Sequence, residues 1–299
     1  MPAKSLKWVY LIVLAVIWGS SFILIKKGLL GLSPLQLGSI RILFTSFFLL
    51  LIGTKALLKI KRPEWKWLFI SALLGTFFPA FLFAYAETEI DSAIAAILNS
   101  SVPLLALCIG LLFFGTSFIK RQLLGVLIGL VGASFLILIG ASINPDQNYW
   151  YALLVIIAAS MYAINVNIIK KYMQGISAIG IAVGNFIFLI IPALAILLTT
   201  DFFTLENISS NEVKLSLFYV LILSLFGTAA AKVMFNKLVQ ISDPVFSSSV
   251  TYLMPVVSVI WGLIDGEKFN LLQLGASLII ITGVYLVNKR KKEEIPKPN

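Results

Sequence analysis

Residues 8–25 read WVYLIVLAVIWGSSFILI, a run without a single charged side chain. An α-helix of about 17–25 apolar residues is long enough to cross the hydrocarbon core of a bilayer. Lys4 and Lys7 precede this run, and Lys26 and Lys27 end it. Because the run is long and has no small-residue cleavage site at its end, we expect a retained membrane-spanning helix rather than a signal peptide.

The rest of the chain has the same apolar character. It has 299 residues, of which 60% are hydrophobic and 12% charged, and its mean hydropathy is +1.01. Soluble domains average about 45–50% apolar and about 25% charged residues, so this much apolar surface requires a bilayer. The sequence therefore predicts an all-α membrane protein with ten transmembrane helices, at residues 8–25, 35–53, 67–86, 92–114, 122–141, 149–169, 178–199, 215–238, 244–264 and 271–288.

Basic side chains are distributed unevenly between the predicted loops. The chain has 23 Lys and Arg residues against 13 Asp and Glu residues. With the N-terminus in the cytoplasm, 17 of the cations fall on the cytoplasmic side and 4 on the other, while Arg41 and Lys232 fall inside spans. Because cytoplasmic loops are enriched in Lys and Arg, we predict that both termini are cytoplasmic, in a bacterial cytoplasmic (inner) membrane. The basic residues form no aromatic-interleaved domain of the kind that binds nucleic acid.

The second half of the chain repeats the first. Matching residues recur at offsets of 152, 151 and 144 positions. The matches are Gly75-Thr76 with Gly227-Thr228, Asp91 with Asp243, Pro103 with Pro255, Gln122 with Gln273, Gly132 with Gly283, Ser33 with Ser177 and Lys26-Lys27 with Lys170-Lys171. Each half holds five predicted spans, so the halves must insert with opposite orientation, as inverted repeats around a central cavity. We expect the repeats at residues 1–144 and 145–288, and a basic cytoplasmic tail at residues 289–299.

Several segments resemble a known family. Val16–Phe22 (VIWGSSF) is similar to the first-helix signature of the EamA branch of the drug/metabolite transporter superfamily, and Arg41 is similar to the second-helix arginine of that family. Gly227–Glu267 resembles the end of an EamA repeat, through Asn236-Lys237, Pro255 and Gly266-Glu267. The resemblance covers nearly the whole chain. It implies a transporter that exports or exchanges small metabolites, such as amino acids.

Polar and aromatic residues within the predicted spans are candidates for the cavity wall. An amide such as that of Asn99 is costly in hydrocarbon unless it is paired or hydrated. Lys232 either extends to the membrane interface or faces an aqueous vestibule. The candidates for substrate binding are Trp18, Ser21, Asn99, Tyr162, Asn165, Lys232, Asn236, Thr251 and Tyr252. Packing seams between helices are also rich in small polar residues, so a purely structural role stays open for this set.

Other residues are expected to serve structure or gating. Arg41 either pairs with Glu87 or Glu89 or contacts an anionic group of the substrate, since intramembrane charges face protein or water. Pro103 and Pro255 lie in the middle of predicted spans, either as static kinks or as breaks that line the cavity.

Two aspartates stand before predicted spans. Asp91 precedes Ser92, and Asp243 precedes Pro244. A carboxylate at such a position accepts hydrogen bonds from free backbone N–H groups, so both are predicted helix caps. Gly115-Thr116 departs from the family pattern, in which the first repeat also ends in Gly-Glu, and that loop is expected to be capped differently.

The composition argues against catalysis and metal binding. The chain has no histidine, one cysteine (Cys108) and no phosphate-binding loop, so we predict no catalytic residue, no metal site and no cofactor. The expected partners are a small-molecule substrate and the lipid bilayer, and a monomer can enclose the cavity. A sugar-phosphate or nucleotide-sugar exchanger, a membrane-embedded enzyme and a channel are the alternatives. Transport proceeds either by exchange or facilitated movement, or with protons carried by a rim carboxylate, of which Glu87 is the first candidate.

Overall fold

Helices make up all the regular secondary structure that the computed structural model describes, which covers residues 3–115, 120–143, 146–204, 210–242, 244–268 and 270–288. The first half contains α1 (Ala3–Gly28), α2 (Pro34–Leu57), α3 (Trp65–Ala72), α4 (Phe78–Ala86), α5 (Ser92–Asn99), α6 (Val102–Phe114) and α7 (Lys120–Ile143). The second half contains α8 (Ala152–Tyr172), α9 (Ala178–Leu198), α10 (Asn211–Ile222), α11 (Ala231–Ile241), α12 (Pro244–Ser248), α13 (Met254–Ile264) and α14 (Leu271–Asn288).

Eight helical segments in the described residues are long and apolar enough to span a membrane. They are Leu6–Gly28, Pro34–Leu57, Arg62–Ala86, Ser92–Phe114, Tyr149–Tyr172, Ala178–Leu198, Asn211–Ile241 and Phe246–Ile264. Two shorter apolar stretches, Leu127–Leu136 and Leu271–Gly283, lie within the fifth and tenth predicted spans. Leu112, Ile191 and Leu271 are between 75% and 84% exposed, and such a surface suits lipid rather than water. The chain is therefore an integral membrane protein.

Local sequence explains how some of these helices begin. Ser33 accepts a hydrogen bond from the N–H of Gln36, and the side chain of Gln36 accepts one from the N–H of Ser33. This reciprocal pair is a capping box, and it starts α2 at Pro34. Ser177 accepts a hydrogen bond from the N–H of Gly180 at the start of α9.

The fourth and ninth predicted spans are broken into separate helices. α5 ends at Asn99, and α6 begins after Ser101 with Pro103 in its first turn. Pro255 has the same place in α13, which follows a 3-10 turn at Ser249–Tyr252. Of the two alternatives for these prolines, the structure shows breaks rather than kinks in a continuous helix, because a first helical turn needs no N–H donor and proline fits there without cost. Non-helical backbone at membrane depth is tolerated only where protein or a water-filled cavity covers it.

The third and eighth spans each contain a π-helical segment, at Leu73–Phe77 and Leu223–Ala230. Each segment includes one Gly-Thr pair of the sequence repeat, Gly75-Thr76 or Gly227-Thr228. Such segments are rare, and they occur frequently at functional sites. At this Gly-Thr pair, both halves of the chain therefore depart from the regular α-helix in the same way.

Candidate functional site

A cavity opens between the two halves, where the broken helices and the π segments meet. It encloses about 790 Å³, its open mouth included. Much of its wall is apolar, with contributions from Phe22, Phe83, Phe235 and Met254. A smaller space of about 260 Å³ adjoins it, and the two share Arg41, Tyr162 and Lys232.

Arg41 and Lys232, the two cations inside spans, line both spaces. Arg41 donates through Nε to Oγ1 of Thr228, 3.0 Å away. Lys232 donates to the carbonyl of Gly75, and its Nζ lies 5.6 Å from the centroid of the Tyr162 ring. Lys232 therefore does not extend to the membrane interface. One donor of Lys232 and one of Arg41 thus bond to groups of the two π segments, and each side chain keeps further N–H donors.

The predicted ion pair of Arg41 with a carboxylate is not formed. Within the described ranges, no carboxylate oxygen of Glu87 or Glu89 lies within ion-pair distance of the Arg41 guanidinium. The pairing prediction is wrong because Arg41 bonds across to the other half of the chain, at Thr228, and faces the cavity.

Two amides in the wall each have an oxygen without a hydrogen-bond partner in the described chain. Asn99 and Asn165 are buried, and each has an Oδ1 atom without a hydrogen-bond partner among the described residues. An unpaired buried polar group costs about 1–3 kcal/mol, so both amides are available to a ligand or to water. Asn167, also on α8, instead donates to the carbonyl of Ala106, 3.1 Å away, and joins two helices.

Equivalent positions of α1 and α8 contribute to the wall. Trp18 and Ser21 lie on α1, and Tyr162 and Asn165 lie on α8 at the repeat offset of 144 residues. Trp18 donates through Nε1 to the carbonyl of Gly227, 2.9 Å away. Together with the bond from Lys232 to Gly75, this means that the glycine of each π segment is bonded by a side chain from the other half.

Of the remaining candidates for the cavity wall, Thr251 lies in it and Asn236 and Tyr252 do not. Thr251 lines the cavity and donates to the carbonyl of Ser248, 2.9 Å away. Asn236 is buried, but it donates to the carbonyl of Ala178 at 3.2 Å, and Tyr252 packs against the apolar core. Neither lies in the cavity wall, because neighbouring helices decide which face of a span meets the cavity, and a substrate contact at either residue stays a prediction. Sequence reasoning missed Phe83 and Phe235, since an apolar residue carries no signal that separates cavity from lipid.

Charged residues form a second polar site at the end of α1. Lys26 Nζ lies 2.8 Å from Oε1 of Glu267 and 3.3 Å from Oδ2 of Asp265, and Lys27 also pairs with Asp265. Partial burial acts to raise the pKa of Asp265, but hydrogen bonds and charges from Lys27 and Lys26 hold that pKa below its ordinary value. Lys26, Lys27, Asp265 and Glu267 are called the gate cluster below.

Glu267 also caps α5, a helix of the other half. Its Oε1 accepts hydrogen bonds from the N–H and the hydroxyl of Ser92, at 3.1 and 2.6 Å, and its Oε2 accepts one from the N–H of Ala93, at 3.2 Å. Gly266 has a φ of 85°, which glycine adopts without strain, and it turns the chain so that Glu267 reaches α5.

The cap predicted for Asp91 is wrong. Asp91 has the backbone position before α5, but its side chain makes no capping hydrogen bond, because Glu267 already occupies the free N–H groups. Burial and the charge of Glu267 raise the pKa of Asp91, against the opposing effects of a hydrogen bond with Gln147 and the charge of Lys26. Asp243 and the departure at Thr116 lie outside the described residues.

Glu87 follows α4 and is the most isolated carboxyl of this region. It is 7% exposed, and neither of its side-chain oxygens has a hydrogen-bond partner in the described chain. Burial raises the pKa of Glu87 well above its ordinary value, the charge of Glu267 raises it further, and Arg41 and Lys26 act in the opposite direction. Glu87 is not part of the cavity wall.

Several known proteins are similar to this chain over most of its length. The inner membrane transporter YedA of Escherichia coli (strain K12), described as uncharacterized, is 28% identical, over 94% of this chain and 90% of its own. A probable amino-acid metabolite efflux pump of Salmonella typhimurium is 25% identical, over 92% of each chain. A solved crystal structure that is 17% identical shares the fold, with a TM-score of 0.67 over 95% of this chain and 96% of its own.

The description of the EamA-like transporter family matches the chain twice, at residues 6–138 and 149–289. The names of the family and of these relatives indicate a transporter rather than an enzyme. Because the two matches together cover nearly all of its length, the chain belongs to the EamA-like transporter family.

Proposed function

We propose that this transporter moves small carboxylate-bearing metabolites, amino acids above all, across a bacterial cytoplasmic membrane by export or exchange. The observation that carries the substrate class is the charge of the cavity. In the described chain, its wall contains two charged residues, Arg41 and Lys232, and both are positive. Charges interact far more strongly in a partly dry cavity than in water, so this wall favours an anionic group on the substrate.

A free amino acid has groups that match the rest of the wall. Its carboxylate suits Arg41 and Lys232, with the unpartnered hydroxyl of Thr76 in the smaller space beside them. Its ammonium group needs acceptors, and Asn99 and Asn165 supply them. The apolar part of the wall suits the amino-acid side chain. The efflux-pump name of the relative from Salmonella typhimurium supports the same class.

The architecture that we propose has ten spans in two inverted five-helix repeats, at residues 1–144 and 145–288, with both termini cytoplasmic. The paired π segments, the paired helix breaks and the matched wall positions of α1 and α8 support it. Inverted repeats hold the substrate near the midplane and alternate its access by moving against each other. The gate cluster then lies on the outer side, where it ties the ends of the two repeats together.

An exchanger of phosphorylated sugars is the second candidate. Two cations meet at one cavity, and phosphate accepts charge-assisted hydrogen bonds from such groups as readily as carboxylate does. The largely apolar wall favours an amino acid over a hydroxyl-rich sugar.

The substrate class is tested with purified protein in proteoliposomes. They are loaded with labelled amino acids, the corresponding amines without a carboxylate, and sugar phosphates. We expect saturable efflux of at least one amino acid and none of its amine. Efflux of sugar phosphates alone would establish the second candidate. No saturable efflux from folded protein would contradict both candidates and leave the membrane-embedded enzyme to be tested.

Replacing the cavity cation tests the site itself. We expect Lys232→Ala to raise KM for the carboxylate substrate by roughly 10- to 100-fold, because a hydrogen bond to a charged group contributes about 1.5–3 kcal/mol. Lys237→Ala is the matched control, since Lys237 is exposed on the same helix. Concentration-dependent efflux measures both variants. Equal KM values in the two would show that the cavity does not bind the substrate.

A further inference from the structure

Glu87 is a buried carboxyl without a hydrogen-bond donor. An ionised carboxylate in such a place costs several kcal/mol, and in practice the group binds a proton instead. Three charged groups act on it: Lys26 from α1, Arg41 from α2 and Glu267 from the loop after α13. Tyr162 of α8 lies near Arg41, and Glu89 and Asp91 follow Glu87 on its own loop.

In the described chain, neither of the nearby cations lies within ion-pair distance of Glu87. Lys26 pairs with Asp265 and Glu267 in the gate cluster. Arg41 bonds to Thr228 and faces the cavity. Glu267, by contrast, carries a negative charge that opposes a second one at Glu87. Burial and the neighbouring anion therefore act in the same direction, and both favour the neutral carboxyl.

We infer that Glu87 holds a proton while the gate cluster is formed, and that this proton passes to water when the outer ends of the repeats separate. The inference rests on the proposed alternation between two repeats. The proton-binding site that it assigns lies outside the substrate cavity, and the proton is released by the conformational change rather than by substrate binding. Proton release from the carboxyl leaves a hydrated carboxylate in the open form.

The sign of the pH dependence follows from this difference. Glu87 has a higher pKa in the closed form, where it is buried, than in the open form, where it is hydrated. Below the ordinary pKa of glutamate both forms are protonated, and pH does not bias the equilibrium. As the pH rises above that value, the open form loses its proton first and gains in population, by up to about tenfold per pH unit for one proton.

Distances across the outer ends test the inference without any substrate. Tyr85→Cys and Leu271→Cys in a Cys108→Ser background place spin labels on exposed positions of the two halves. Pulsed electron paramagnetic resonance on the full chain in lipid nanodiscs then gives the closed fraction between about pH 5 and pH 9. Because no substrate is used, the distance measurement can be interpreted even if the proposed substrate class is wrong. Likewise, the absence of a pH response would not affect the efflux test of the proposed function.

Two variants separate Glu87 from its neighbours. We expect the closed fraction to fall as pH rises in the parent and in Glu89→Gln, which removes a carboxylate two positions away. Glu87→Gln, a neutral mimic of the protonated group, should remain closed at every pH. A pH response that persists in Glu87→Gln, or a parent that does not respond, would overturn the inference.

Infrared spectroscopy of the labelled parent supplies a second measurement that needs no Glu87 variant. A protonated carboxyl has its own C=O stretching band, and we expect one that disappears with the same midpoint as the closed fraction. The band should persist in Asp91→Asn, which excludes the half-buried carboxyl of the same loop. Loss of the band in Asp91→Asn, or its absence from the parent at the acid end of the range where the closed form dominates, would contradict a proton on Glu87.

Discussion

At the scale of single residues, Glu267 joins more partners than any other side chain of the outer region described above. One carboxylate pairs with Lys26 and accepts hydrogen bonds from Ser92 and Ala93 at the start of α5. A negative group is also favoured at a helix N-terminus by the helix dipole. Glu267 therefore links α1, α5 and its own loop, and its negative charge strengthens each of these contacts.

The variant Glu267→Gln keeps the shape of the side chain and removes its charge. We expect the free energy of unfolding to fall by about 2 kcal/mol, since charge-assisted bonds give way to neutral ones in a buried place. The thermal unfolding midpoint in detergent measures the change. Glu89→Gln, a nearby carboxylate outside the gate cluster, should leave the midpoint within about 1 °C. Equal midpoints for the two variants would mean that the cluster does not stabilise this conformation.

At the scale of elements, the π segments are where the halves meet. Each places a glycine at the cavity, and its carbonyl accepts a bond from Trp18 or Lys232 of the other half. A Cβ atom added at Gly75 would lie 2.7 Å from Cγ of Asn165, closer than real Cβ contacts. The absence of a side chain at Gly75 is therefore what allows Asn165 to take its place in the wall.

A methyl group at this position should disturb the cavity. We expect Gly75→Ala to displace the Asn165 amide and to cost about 1–3 kcal/mol, as overpacking does in a filled interior. Gly275→Ala is the matched control, since an added Cβ there meets nothing within 4 Å. That variant should be neutral or more stable by about 0.5–1 kcal/mol. Saturable efflux and thermal midpoints measure both, and unchanged efflux in Gly75→Ala would exclude Asn165 from substrate binding.

At the scale of the whole molecule, the two ends of the bundle are held differently. Lys26 bonds to carboxylates in the gate cluster. Its repeat equivalent, Lys170, instead donates to the carbonyls of Ser242 and Val239, at 2.5 and 3.4 Å. Carbonyls carry no formal charge, so the two contacts have different strengths. The equivalent lysines of the two halves therefore make different contacts: ion pairs at the end that contains the gate cluster, and hydrogen bonds to backbone carbonyls at the other end.

The orientation of the whole bundle is tested by labelling. We expect single cysteines at Leu30 and Lys268 to react with a membrane-impermeant maleimide on intact cells, in a Cys108→Ser background. Cysteines at Leu58 and Gln174 should react only after the cells are permeabilised, because those positions lie at the opposite ends of their helices. All four positions are exposed. Labelling of both groups from one side would contradict the proposed ten-span topology.

Length, apolar runs and loop charges determined the class of this protein. Helical spans follow from local composition, because a bilayer leaves the backbone no option but to satisfy its hydrogen bonds within each segment. The ordered matches between the halves, such as Gly75-Thr76 and Gly227-Thr228, indicated two related repeats, and the structure then showed that the regular helices are interrupted at this pair. Tyr162 and Asn165 could be chosen as wall residues because an amide and a phenol in a span need a partner or water.

Only the tertiary structure decided which partners these polar groups have. Glu267 caps a helix that begins 175 residues earlier in the chain, while the adjacent Asp91 does not, and no local pattern distinguishes the two. Arg41 could be recognised as an expensive intramembrane charge, but its partner proved to be a hydroxyl of the other half rather than Glu87. Charge and span length are local properties of the chain, whereas the partner of a buried polar group depends on how distant helices pack.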